Sequence, residues 1–160
     1  MRDTLIDQEA RTRALTDASS TLLVEAGAGT GKTAIMAGRL VKLLADGIEP
    51  DNIAAITFTE LAAGELQQRV ACFIGRAIAG DMPVQIASAF PGGPGAGQIA
   101  ALKAAYQKLD RLTCTTIHGW CKQMIGPYPV ETGMDPGAKM IDPANADLIF
   151  QDLKEGWLRA

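Results

Sequence analysis

The sequence predicts an α/β fold, a parallel β-sheet covered by helices on both faces, and three observations carry that prediction. Short apolar runs of the kind that fill parallel strands occur at Thr21–Ala26 (TLLVEA), Ile53–Thr57 and Arg111–Thr116 (RLTCTT). Each run leads into a segment with the marks of a helix. Strand and helix alternating three times calls for right-handed crossovers, which lay the strands side by side in parallel. At 160 residues the chain fits one domain able to bury roughly two thirds of its unfolded surface.

Taken in order, residues 7–18 (DQEARTRALTDA) read as a short polar helix and Thr21–Ala26 as a buried strand ending in a glycine-rich turn. A helix then runs from Lys32 to about Ala45, with Met36, Leu40, Leu43 and Leu44 on one face and Gly47 placed to stop it. The second strand, Ile53–Thr57, precedes a helix whose core face is Leu66, Val70, Phe73, Ile74 and Ala77. Pro91–Gly97 (PGGPGAG) excludes regular structure, so residues 79–98 read as an exposed connection with a further helix after it. Arg111–Thr116 is the third strand, followed by a helix from Ile117 to about Ile125. Beyond it Pro127, Pro129, Pro136 and Pro143 interrupt the pattern until Asp142-Pro143 opens a last helix carrying Ile149, Leu153 and Trp157.

Composition narrows the function classes. With 48% hydrophobic and 21% charged residues the balance is that of an ordinary globular protein. The apolar runs are too short to cross a bilayer and no signal-peptide core follows Met1-Arg2-Asp3, so no membrane role and a cytoplasmic location are expected. Cys72, Cys114 and Cys121 form an odd set without CxxC spacing, which suits a reducing compartment. A zinc site from Cys114, His118 and Cys121 would lack a fourth ligand. The net charge of −3 offers no bulk attraction for nucleic acid, so any such contact has to come from a local surface.

The strongest chemical signal is Ala26-Gly27-Ala28-Gly29-Thr30-Gly31-Lys32-Thr33, which matches a P-loop with Ala26 standing for the usual first glycine. Glycines at 29 and 31 let backbone N–H groups turn inward around phosphates at the positive end of the helix that starts there. Lys32 adds a point charge for the β and γ phosphates of ATP, and the Thr33 hydroxyl is a ligand for Mg²⁺. A plain strand-to-helix turn would leave unexplained why GKT, an apolar strand and a helix coincide.

Sites in open parallel sheets lie at the carboxyl ends of strands. Besides the loop, Thr57–Glu60 and Thr116–Gly119 fall there. Phe58 is placed to stack on a base while the Thr57 and Thr59 hydroxyls reach phosphate oxygens; the competing reading is that Phe58 packs in the core. His118, the single histidine, sits beside Thr116 without a nucleophile near it in sequence, and either donates a hydrogen bond or is structural. Trp120 and Cys121 read as helix packing.

Gln8, AGAGTGKT, ITFTELAAGELQQRV at Ile56–Val70 and TTIHGWC at Thr115–Cys121 together resemble the Q motif and motifs I, Ia and Ib of superfamily 1 helicases of the UvrD and Rep type. The four matches are in the family's order and cover most of residues 5–125. TFTE before an alanine-rich EL helix, and TIHGWC, look most like the RecB and AddA helicase-nuclease branch. The resemblance implies a P-loop NTPase (RecA-like) first motor domain, present only in part over residues 1–128, and the start of an inserted helical accessory domain over 129–160. It implies that Gln8, with a donor and an acceptor, reads adenine. It also implies that Thr57, Phe58, Thr59, Thr116 and His118 touch single-stranded DNA.

No apolar strand ending in an acidic pair appears between Ile125 and Ala160, and the family's Walker B acid, second motor domain and nuclease domain lie further along such chains. The segment is therefore expected to bind ATP and Mg²⁺, with Lys32 as its catalytic lysine, but not to turn ATP over alone. The remaining motor domains, and a partner subunit of a nuclease complex for double-strand-break repair, are the implied partners. A small P-loop kinase and a non-hydrolysing nucleotide-binding module are the rival classes.

Overall fold

A computed structural model describes residues 7–27, 29–135, 137 and 141–159; Ala28 of the predicted phosphate loop lies outside the described residues. The chain divides into two units, residues 1–120 and 121–160.

In the first unit α1 (Gln8–Thr16) is followed by α2 (Lys32–Ala45), β1 (Ala54–Thr57), α3 (Glu60–Ile78), α4 (Ala96–Gln107), β2 (Thr113–Thr116) and the start of α5 (Ile117–Ile125). The periodicity that predicts α3 is realised, with Leu66, Val70, Phe73, Ile74 and Ala77 all buried. α2 ends as its sequence demands. Gly47 takes φ +92°, and the N–H groups of Gly47 and Ile48 reach the carbonyls of Leu44 and Leu43 at 3.1 Å each, closing the helix with a residue whose missing Cβ permits that angle. Its buried face is Ala37, Leu40, Val41 and Leu44, whereas Met36 is exposed. α1 and α3 pack on α2, α4 packs on α2 and α3, and α3 also covers both strands.

The sheet departs from the expectation. Among the described residues it has two strands, β1 and β2, parallel and in register from Ala54 opposite Thr113 to Thr57 opposite Thr116. Ala55 faces the core while Ala54 and Ile56 are exposed, so among the described residues one face of β1 is left uncovered. Thr21–Ala26 belongs to neither sheet nor helix, and Leu23 is 87% exposed. Its composition is that of a buried strand, but a strand needs backbone partners and cover, and the described residues offer it no ladder.

The connection at 79–98 is also not uniformly exposed. Pro83, Ile86, Ala89 and Phe90 are buried, and Ala87–Ala89 forms a 3₁₀ turn that packs on α1. Ile86, Ala89 and Phe90 repeat at i, i+3 and i+4, the spacing of an apolar helical face, and the glycine-rich run that suggests exposure begins only at Pro91. Ile86 and Leu15 meet α2 at Gly38. A Cβ there would lie 2.5 Å from Ile86 Cγ2 and 2.6 Å from Leu15 Cδ2, and both side chains are held on all sides by the core. Arg39, the next residue, donates from Nη1 to the Ala14 carbonyl in the last turn of α1 at 2.8 Å, a cation at the negative end of that helix.

α1 leaves through Asp17, whose Oδ1 accepts from the N–H of Ser19 and the N–H of Ser20 at 3.1 Å each and from the Ser19 hydroxyl at 3.0 Å. These bonds to the charged form bring its carboxyl down from the usual 3.8 to about 2.

In the second unit Asp142 caps α6 (Pro143–Arg159) as its sequence predicts, with Oδ1 accepting from the Asn145 N–H at 3.0 Å and Pro143 at the first helical position. Leu148, Phe150, Leu153 and Trp157 along α6 are exposed. No helix of the described residues is long and apolar enough to cross a membrane.

Two outcomes follow from this packing. Gly38→Ala should destabilise the fold by about 1 to 3 kcal/mol, the usual range for overpacking a closed core, read as a lower urea midpoint with an unchanged slope. Asp17, depressed on folding, contributes stability that is complete above about pH 4 and lost as pH falls through about 2. An NMR titration should find its midpoint near 2, and Asp17→Asn should flatten the acid limb of stability; a midpoint near 4 would show the Ser19–Ser20 bonds absent in solution.

Candidate functional site

The loop before α2 has the backbone that anion binding requires. Gly29 and Gly31 take φ of +76° and +92°, and Gly31 is the N-cap of α2. No acidic side chain stands in the first turn of this 14-residue helix, so its positive end is not neutralised locally. The Thr30 hydroxyl donates to the Gly27 carbonyl at 2.8 Å, and the Lys32 ammonium donates to the carbonyls of Ala26 (2.7 Å) and Gly27 (2.8 Å), bridging back across the loop. Ala26, Gly27, Gly29, Thr30, Lys32 and Thr33 are exposed. Lys32 and the Thr33 hydroxyl, side by side at the start of α2, are the donor set that a phosphate-bound divalent cation and its phosphates would use.

A cleft of about 290 Å³ opens beside the loop, lined by Gln8 and Arg11 from α1, Gly29, Thr30 and Gly31, Ala34 and Ile35 of α2, and Val84, Gln85 and Ser88 from the buried turn. Gln8 and the loop, some twenty residues apart in sequence, share one cavity. Arg11 joins them. Its Nη2 pairs with Asp7 at 2.8 Å and its Nη1 donates to the Thr30 carbonyl at 3.2 Å, while its Nε is buried without a partner. The Arg11 guanidinium beside Asp7 holds that carboxyl below its ordinary value. Sequence reasoning missed Arg11, although it lies three residues after Gln8 and so on the same side of α1. It also missed Val84, Gln85 and Ser88, whose only signal was the apolar spacing of Ile86, Ala89 and Phe90 beneath them.

The second group of expected site residues lies at the carboxyl edge of the sheet. Because Thr57 and Thr116 are register partners, the segments that follow β1 and β2 leave from neighbouring points. Phe58 is 92% exposed, which removes the core-packing reading. The Thr57 hydroxyl donates to the Thr59 carbonyl at 3.0 Å, and the Thr59 hydroxyl accepts from the Ala62 N–H at 3.1 Å as the N-cap of α3. Thr116 is buried. Its hydroxyl donates to Glu60 Oε1 at 2.9 Å and accepts from the Gly119 N–H at 3.1 Å, so it ties the start of α3 to the start of α5. Gly119 is required for this close turn, since a Cβ would lie 2.2 Å from Thr115 Oγ1. His118 is exposed beside it.

Cys121, expected to pack, is exposed as well, because α5 buries none of its residues. Burial raises the Cys114 thiol above its ordinary value. Among the described residues no three His, Cys, Asp or Glu side chains are grouped to hold a metal ion.

The UvrD/REP helicase N-terminal domain family matches residues 7–158. The chain is similar to an ATP-dependent helicase/nuclease subunit from Moorella thermoacetica, at 33% identity over 80% of this chain and 8% of that protein. Similarity to the protein of the same name from Desulfitobacterium hafniense is 32% over 92% of this chain and 10% of the relative. For Clostridium perfringens it is 31% over 82% and 9%. The chain thus spans about a tenth of the length of these relatives. With a glycine loop at a helix N-terminus, a cleft that joins it to Gln8, and a family match over nearly its whole length, the chain belongs to the UvrD/REP helicase N-terminal domain family.

Proposed function

We propose that this chain is the ATP-binding part of an ATP-dependent DNA helicase, within a helicase-nuclease of double-strand-break repair, and that it binds Mg²⁺-ATP and one side of a single-stranded DNA track. Residues 1–128 are then the first part of a RecA-like motor domain and 129–160 the start of its accessory insertion. The remaining motor domains and a partner subunit of the nuclease complex act with it. Family membership and the activity that names the relatives support this reading.

The phosphates of ATP would sit at the N-terminus of α2, on the amides of the loop from Ala26 through Gly27, Ala28, Gly29, Thr30 and Gly31. Lys32 would exchange two neutral carbonyls for phosphate oxygens, replacing ordinary hydrogen bonds by charge-assisted ones. The Thr33 hydroxyl would hold Mg²⁺, which neutralises charge on the phosphates when bound. Gln8, within the cleft, would read the adenine edge.

The observation that favours a motor over a small kinase is the sheet edge. A nearly fully exposed Phe58 stands one residue past a strand end that is paired with the strand end leading to His118. A flat aromatic there offers a base a stacking face, and an imidazole N–H suits a phosphate oxygen. Thr57, Phe58, Thr59, Thr116 and His118 would together meet the strand along this edge, whose backbone the hydroxyls of Thr57, Thr59 and Thr116 also hold.

Lys32→Ala should weaken Mg²⁺-ATP binding about ten- to a hundredfold in titration calorimetry, the loss of a charged contact of roughly 1.5 to 3 kcal/mol. Equal affinities for the two forms would remove the phosphate site. For DNA, one stacked base worth about 1 to 3 kcal/mol and a few phosphate bonds imply salt-dependent affinity on the order of millimolar to high micromolar. An oligothymidine titration followed by NMR should shift resonances near Phe58 and His118, spare Pro91–Gly97, and lose part of the shift in Phe58→Ala while ATP binding persists. Shifts confined to the phosphate loop would refute the nucleic-acid reading.

A further inference from the structure

Three of the residues that line the cleft beside the loop come from neither the loop nor α1 or α2. Val84, Gln85 and Ser88 belong to a segment around the 3₁₀ turn whose buried residues, Ile86, Ala89 and Phe90, anchor it in the core. Ile86 is wholly buried where it meets the bare backbone of α2 at Gly38, and the N–H groups of Ile86, Ala89 and Phe90 bond to the carbonyls of Pro83, Ile86 and Ala87 at 3.0 to 3.1 Å. The Lys42 ammonium lies 5.9 Å from the centre of the Phe90 ring, a further tie to α2. The turn is therefore fixed from below, with Gln85 exposed and Ser88 half-buried at the cavity.

We propose that Gln85 and Ser88 are nucleoside-recognition residues that contact the base and ribose of the bound nucleotide. This rests on the reading of the loop as the phosphate site. With the phosphates at the N-terminus of α2, the cleft that opens beside Gly29, Thr30 and Gly31 offers the nucleoside a place lined by Gln8 and Arg11 on one element and by Val84, Gln85 and Ser88 on another. Gln85 brings a donor and an acceptor, and Ser88 a hydroxyl that serves as either, which are the groups that purine edges and ribose hydroxyls pair with. Val84 adds an apolar surface for the base. Their placement on a turn locked by core packing means that little order has to be gained when the nucleoside arrives, so the contacts add to affinity and not only to shape.

The test compares Mg²⁺-ATP with Mg²⁺-tripolyphosphate, a triphosphate chain without base or sugar, by titration calorimetry on the 160-residue chain. Gln85→Ala and Ser88→Ala should each weaken ATP about three- to tenfold, the range of a lost hydrogen bond, and leave tripolyphosphate unchanged. Lys32→Ala should weaken both ligands. Matching thermal melts for the two alanine variants and the parent would tie the loss to contact and not to unfolding. ATP binding tighter than tripolyphosphate in the parent, with both variants unchanged for either ligand, would overturn the assignment of Gln85 and Ser88 while leaving the phosphate site intact. Equal weakening of the two ligands would overturn it too, since the residues would then act on the loop. Failure of the parent to bind either ligand would overturn both the phosphate site and the nucleoside wall.

Discussion

The close approach of Leu15 and Ile86 to the backbone of α2 at Gly38 is the constraint on which the cleft depends. It brings three segments far apart in sequence to one point: α1 with Gln8 and Arg11, α2 with the loop at its start, and the turn that carries Gln85 and Ser88. Contact this close is open only to a residue without a side chain, and the surrounding core gives neither neighbour room to yield. The hydrogen bonds above it, Arg39 to Ala14 and Arg11 to Thr30, then set the angle of α1 against the loop. A cleft of small volume is thereby built by packing along the helix, away from the loop itself.

The sheet edge is organised by different means. Parallel register alone puts the ends of β1 and β2 level, and two threonines convert that into fixed helix starts, Thr59 as the cap of α3 and Thr116 as a bond to both Glu60 and Gly119. Hydroxyls suit this task because they donate and accept at once. The side chains left outward, Phe58 and His118, are the ones with a flat ring and a ring N–H to offer.

Much of this was legible in the sequence because it is local. α3 follows from its apolar period, α6 from the Asp142-Pro143 cap, and the loop from the glycines that its backbone angles require. What was misread is tertiary. Thr21–Ala26 has a strand's composition, but whether a strand forms is decided by what lies beside it. Residues 79–98 contain so many glycines and prolines toward their end that the apolar spacing of Ile86, Ala89 and Phe90 was overlooked, and with it one wall of the cleft. Arg11 escaped notice because an arginine on a polar helix looks solvated until the carbonyl it bonds, that of Thr30 nineteen residues later, is placed beside it. For the same reason nothing local marked Thr116 as the bond between the start of α3 and the start of α5.

The Thr116 to Glu60 bond has a mechanical meaning. A side chain at the head of one helix and a side chain at the head of another are joined across the tops of two parallel strands, so the two loops cannot separate without breaking it. Together with the parallel ladder between β1 and β2, it closes a ring of hydrogen bonds around the tops of the two strands, so that displacing either helix start strains the other.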